Sequence, residues 1–231
     1  MANVDGAFGF RQVGGLGSRP TSEGTSKYVI QSGTTGAIYS GDVMTLGNGT
    51  TISEGGGVIA QGYVGSSETD AVLNVGIFNG CFYDDPTTSK PTFKNYWPGD
   101  VATTSPAAGA TAFVYDNPDD LFEVQTSGTL TQVIVGRGID MGYTAGSTIN
   151  GRSKEEITAT ASANGTFCPI RISGDPANSD TGNANSNWIV KFNNMFITTI
   201  PHNKEINYGY FTTTACQRTR TRFKCLVRFR V

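Results

Sequence analysis

Apolar residues in this chain come in short runs in which every second position is polar, and each run is closed by glycine, asparagine, aspartate or proline. A period of two bounded by turn residues predicts many short β-strands and little helix. The organising stretch is 111–126, T-A-F-V-Y-D-N-P-D-D-L-F-E-V-Q-T. Ala112 to Tyr115 and Leu121 to Gln125 read as two strands joined by an acidic corner, Asp116-Asn117-Pro118-Asp119-Asp120. Pro118 fixes its own φ there, and Asp116 and Asn117 can fold their side chains onto nearby backbone N–H groups. Alternation places Phe122 and Val124 on one face of the second strand, with Glu123 and Gln125 on the other. The same pattern predicts strands over 27–31, 42–46, 58–64, 71–78, 130–135, 167–172 and 188–197. A helical turn is expected only over 153–157, where Ser153 can cap and Glu156 answers it three residues later. The stretch 173–187, S-G-D-P-A-N-S-D-T-G-N-A-N-S-N, is too polar for a core and reads as a surface loop.

Composition agrees with an all-β protein, a barrel-like or sandwich-like body of short antiparallel strands. The 231 residues include 30 glycines and only 16% charged side chains, a bias toward tight turns rather than amphipathic helices. Size allows one large β domain or two small ones. The expected division is an extended arm over 1–26, a body over 27–200 with a break near 80–100 or 136–165, and a basic strand or tail over 201–231. Tyr39-Ser40-Gly41-Asp42-Val43 and Trp97-Pro98-Gly99-Asp100-Val101 echo each other, but Gly-Asp is a common turn pair and a duplication is not the plainer reading. No stretch is long and apolar enough for a membrane helix, and the first residues lack the pattern of a secretory signal, so no membrane partner is expected.

Candidate chemistry is sparse. His202 is the sole histidine, which leaves no partner spacing for a triad or a multi-histidine metal site. Asp119, Asp120 and Glu123 are what any solvated corner displays rather than a spaced acid pair. Gly136-x-Gly138 lacks the lysine and the βαβ context of a phosphate loop. Asp175 and Asp180 supply oxygen ligands without EF-hand spacing. Cys81, Cys168, Cys216 and Cys225 have no zinc or disulfide-framework spacing and read as buried thiols. The expectation is a protein with no catalytic residues, no cofactor and no metal.

Three features point instead to binding. The arm carries Phe8, Phe10, Arg11 and Val13, and reads either as a segment spaced to enter a groove on a neighbouring subunit or as a flexible terminus ordered by nothing. Residues 81–97 gather Phe82, Tyr83, Phe93, Tyr96 and Trp97, either a stacking surface for sugars or bases or the seam beneath a loop or subunit contact. Arg218, Arg220, Arg222, Phe223 and Phe229 lie in an end that alternates cation with Thr or an apolar residue, as in an edge strand with one cationic face. From Cys216 onward there are six basic and no acidic residues in a chain of formal net charge −2. The preceding part is therefore distinctly acidic.

With those residues in view, the chain resembles a group of small tailed-phage structural proteins known as head decoration, cement or minor capsid proteins. The likeness rests on the opening M-A-N-V-D-G-A-F-G-F-R-Q-V, on Ile38-Tyr-Ser-Gly-Asp-Val43, on Asp116-Asn-Pro-Asp-Asp-Leu-Phe-Glu-Val-Gln125, and on Ile170-Arg-Ile172 with Asn185 to Phe196. It covers roughly residues 1 to 197, and the Arg-rich end departs from it. The resemblance implies a non-enzymatic protein made in the host cytoplasm and located in the virion. There it would bind the outer surface of the head as repeated copies, trimers by the usual local threefold sites, and clamp neighbouring major capsid subunits. Two rivals are a fibre or receptor-binding module using the aromatics of 82–97 on host glycans, and an internal head protein with its basic end on the genome. Nucleic acid is the less expected partner.

Overall fold

The computed structural model of the chain describes residues 3–17, 24–30, 36–46, 58–61, 74–85, 87–99, 110–163 and 165–195. The chain divides into two units, Met1–Ile200 and Pro201–Val231. Arg218, Arg220, Arg222, Phe223 and Phe229 lie outside the described residues, as do Cys216, Cys225 and His202.

The described part of the first unit is all-β. Its strands in chain order are β1 (Arg11–Gly15), β2 (Ser26–Ile30), β3 (Ile38–Tyr39), β4 (Val43–Leu46), β5 (Val58–Gln61), β6 (Asn74–Asp84), β7 (Pro91–Lys94), β8 (Tyr96–Trp97), β9 (Thr111–Tyr115), β10 (Asp120–Gln125), β11 (Ile139–Gly142), β12 (Glu156–Ala161), β13 (Phe167–Ile172) and β14 (Asn187–Phe192). One six-stranded sheet runs β1-β10-β14-β13-β11-β12, every pair antiparallel. The other runs β4-β5-β2-β9-β6-β7, and an additional β4–β6 pairing closes its first five strands into a ring. That ring is a small barrel with β7 appended at its side, and closure removes the open edges a flat sheet would expose.

The burial of β6, whose pairings shift register against β4 and again between Phe78 and Gly80, shows how the two sheets share one body. Val75, Phe78, Cys81 and Tyr83 join Tyr28, Met44, Ala112 and Val114 in the barrel interior, whereas Ile77 and Val43 turn outward into the core of the first sheet. The early part of β6 is buried on both faces for that reason, as expected of a strand between two layers. Trp188, Phe122, Phe167 and Val190 form the centre of the first sheet's core. Phe122 meets Phe192 edge-on at 5.7 Å.

The acidic corner is a crossing and not a hairpin turn. β9 belongs to the barrel and β10 to the first sheet, so residues 116–119 carry the chain between layers. Asn117 Oδ1 accepts from the Asp119 N–H at 3.0 Å, and Asp116 accepts from the Tyr28 hydroxyl at 2.8 Å.

Two local expectations are corrected. Residues 130–135 hold a 3-10 turn, Gln132–Ile134, instead of a strand. Leu130 and Ile134 face the core, and the chain then turns at Gly136, whose φ of 79° suits glycine. Residues 153–157 form no helical turn, because Glu156 opens β12. Ser153 Oγ instead accepts from the Glu155 N–H at 3.0 Å, the short Ser/Thr turn that competes with helix.

Candidate binding surface

The N-terminal arm is docked on its own body. Phe10 is 3% exposed and stacks on Phe167 with ring centroids 4.3 Å apart. Its N–H donates to the Gly41 carbonyl at 3.0 Å. Phe10 is therefore a core residue and not a side chain presented to another subunit, which corrects the expectation for the arm. Two glycines permit this crossing. A Cβ on Gly9 would meet the Ser153 Cβ at 2.4 Å and one on Gly41 the Phe10 backbone N at 3.1 Å, and their φ angles of 74° and 100° disfavour side chains in any case.

The arm also explains why β10 is buried on its polar face. Glu123 accepts from Ser173 Oγ and pairs with the Arg11 guanidinium, the carboxylate being 6% and the guanidinium 57% exposed. Gln125 Oε1 accepts from the Gly6 N–H at 2.9 Å, and its Nε2 donates to the Val4 carbonyl at 3.0 Å. Further along, Asn3 Nδ2 donates to the Asp180 and Ala184 carbonyls, each at 2.8 Å. Alternation puts Glu123 and Gln125 opposite Phe122 and Val124 as expected. What sequence reasoning missed is that residues 3–11 cover that second face and satisfy it. Before the fold is known the sequence shows only that Glu123 and Gln125 share one face of a strand, not that this face is buried.

The aromatic stretch 82–97 divides by strand alternation. Tyr83 and Trp97 are buried and meet edge-on at 5.3 Å, and Tyr96 stacks on Tyr39 at 6.1 Å. Phe82 and Phe93 are cross-strand partners on the outer face of the barrel, 41% and 62% exposed. Phe113 lies 5.9 Å from Phe93 on the same face. The Lys94 ammonium sits over the Tyr83 and Tyr96 rings at 5.9 and 5.6 Å. Its pKa is raised, first by interaction with the Tyr83 hydroxyl. The cluster is thus part seam and part open aromatic surface.

These pieces meet at one groove of about 580 Å³. Phe8, Phe10, Arg11, Gln12 and Val13 line it from the arm and β1; Phe78, Phe93 and Tyr115 line it from the barrel; Ser40, Arg152 and two asparagines complete the wall. The sequence-predicted Phe8, Phe10, Arg11 and Val13 are therefore brought together with Phe93, while Phe82, Tyr83, Tyr96 and Trp97 are not among the lining residues. Arg152, Asn79, Asn95 and Tyr115 were not singled out by sequence, because nothing local marks them. The groove lining includes two guanidinium groups and no carboxylate.

Several carboxylates elsewhere accept hydrogen bonds from the backbone. Glu155 Oε2 accepts from the Val43 N–H at 2.9 Å, and its Oε1 is buried with no hydrogen-bond partner among the described residues. Desolvation, with the nearby Asp42 carboxylate adding to it, holds the Glu155 pKa well above its ordinary value. The carboxylates of Asp175 and Asp180 are occupied by loop N–H groups, Ala177 on the first at 3.0 Å and Gly182 on the second at 2.9 Å. Among the described residues no three His, Cys, Asp or Glu side chains gather as a metal ion would require. No described helix is long and apolar enough to cross a membrane.

Comparison of the chain with protein-family models, with curated proteins and with solved structures gives no match.

Proposed function

We propose that this chain is a non-enzymatic structural protein of a tailed-phage head, a decoration or cement protein that binds the outer surface of the shell and clamps neighbouring major capsid subunits. The observation that carries the reading is that the segments bearing the resemblance adjoin one another in space. The arm and β1 pair with β10, β10 pairs with β14, and Phe10 is bonded to Gly41 in the turn between β3 and β4. Together they hold open a groove with an aromatic floor beside the exposed Phe82 and Phe93. A rigid β body presenting such a surface is suited to recognition by shape and apolar contact.

The physical action follows from linkage. A protein that binds the assembled shell and not its separated subunits stabilises assembly by mass action, and many modest contacts repeated over a closed lattice sum to a large resistance to expansion. Self-association into trimers belongs to this proposal as the arrangement suited to local threefold positions.

A second reading, a fibre or receptor-binding module, draws on the exposed faces of Phe82 and Phe93, which sugar rings can stack on. Sedimentation of purified protein with heads lacking it separates the two. Saturable binding to assembled heads, with heads more resistant to heat, is the expected result. Equal binding to unassembled subunits, or binding only to host glycans, overturns the decoration reading.

A further inference from the structure

We infer that the groove between β1 and the barrel receives an extended, acid-bearing apolar segment of a neighbouring shell subunit, with its carboxylate on Arg152 and its apolar side chains against Phe8, Val13 and Phe93. This rests on the decoration reading and names the chemistry of the partner. Several polar groups around the groove are committed within the chain. Gln12 donates to Asp120, Asn95 donates to the Asn150 carbonyl at 2.9 Å, and Arg11 is neutralised by Glu123. Arg11–Glu123 is the one salt bridge among the described residues, which leaves the exposed Arg152 guanidinium without a carboxylate. Its backbone is fixed by the turn that carries it. Arg152 N–H donates to Asn150 Oδ1 at 3.0 Å, and the Arg152 carbonyl accepts from Ser147 N–H at 2.9 Å.

One unspent cation above an apolar floor calls for one anion on an apolar body. A sugar would need several uncommitted donors and acceptors around its ring, and most of the amides here are occupied. A polyanion such as nucleic acid is disfavoured by the acidic character of the chain before Cys216. Backbone strand addition is also disfavoured. Among the described residues β1 is bonded on one side only, but its register shifts between Gln12 and Gly14, and β7 begins at Pro91, two features that blunt an edge against ladder growth. Recognition therefore runs through side chains, with Val13 (43% exposed) and Phe93 as apolar anchors.

The test uses the full chain with heads lacking it. Arg152→Glu leaves the backbone bonds in place and is expected to weaken binding about tenfold or more, with Arg152→Lys retaining most of it, since like charges across an interface are strongly disfavoured. Phe93→Ala is expected to weaken binding about tenfold, and thermal melts of all three variants should match the parent. A benzophenone side chain at position 93 should cross-link, on illumination, to a shell-subunit segment containing Asp or Glu within a few residues of the modified site. If the unaltered protein fails to bind heads, the decoration reading falls and this inference with it. If it binds but Arg152→Glu binds equally well, or the cross-link lands on a second copy of this chain or on a segment without acid, the groove assignment alone is overturned.

Discussion

Truncating Phe10 to alanine asks whether the arm belongs to the folded body. Phe10 is almost wholly buried, with its ring 4.3 Å from that of Phe167. Burying such a side chain contributes about 1.5–3 kcal/mol, and the stacked pair adds about 0.5–1.5 kcal/mol. The cavity left against Phe167 brings the expected loss to about 3–5 kcal/mol, the range for Phe→Ala in packed cores. For a domain of this size that lowers Tm by roughly 6–20 °C. The arm can limit the loss by undocking as a unit, which would expose Glu123 and Gln125 to water and leave them without Arg11 and Gly6. The assay is urea unfolding followed by the fluorescence of Trp188, which is fully buried in the same core, with Trp97 replaced by Phe in all proteins compared. The midpoint should fall with little change in slope, and Phe8→Ala, at a half-buried ring, should cost about 1 kcal/mol or less. If Phe10→Ala lies within about 0.5 kcal/mol of the parent, the arm is not docked in cis and the reasoning fails. Docking in cis also means that deletion of residues 1–20 destabilises the body, where a loose arm would have left it intact.

Glu155 sets the pH response. A carboxyl whose folded pKa lies above its unfolded value stabilises the fold fully below about 4.5, and that contribution is lost as pH rises through the folded value, at up to about 1.4 kcal/mol per unit. Glu155→Gln should therefore be more stable than the parent at pH 8 and show a flatter stability profile above pH 5; parallel profiles would refute this. Gly9→Ala, at φ 74° with Ser153 in the way, should lower stability by more than 1 kcal/mol as measured by thermal denaturation, and no change would show that the arm can pass Ser153 differently. Burial pushes the Cys81 thiol up to about 12, so it should resist alkylation at pH 8 in native protein and react once urea is added. Mass mapping of the labelled peptide checks it.

The strands were legible where alternation met a turn signal. Phe167 to Ile172 and the start of β14 are read correctly because each pairs a β-prone run with polar flanks. What pattern does not carry is which strands pair. Residues 111–126 read as two strands and a corner, yet nothing local says that Tyr115 and Asp120 end in different sheets, a choice made by Ile77 and Val43 packing outward from the barrel. Likewise 130–135 has the composition of a strand and becomes a 3-10 turn because it finds no ladder partner and meets Gly136. The arm was misread for a related reason. Its apolar content is too small to order itself, and it is ordered by polar groups of β10 and the 178–187 loop that lie more than a hundred residues away. The groove inherits that difficulty, since Phe8 and Val13 were legible as anchors while Arg152 enters only through the turn that bridges it to Ser40.

The most direct test of the account is a cryo-EM reconstruction of the particle that carries this chain. Density for the two-layered β body is expected at repeated positions on the outside of the head, contacting at least two shell subunits, with copy number tied to the shell lattice. Density confined to the tail or a fibre, or inside the head against the genome, would contradict it.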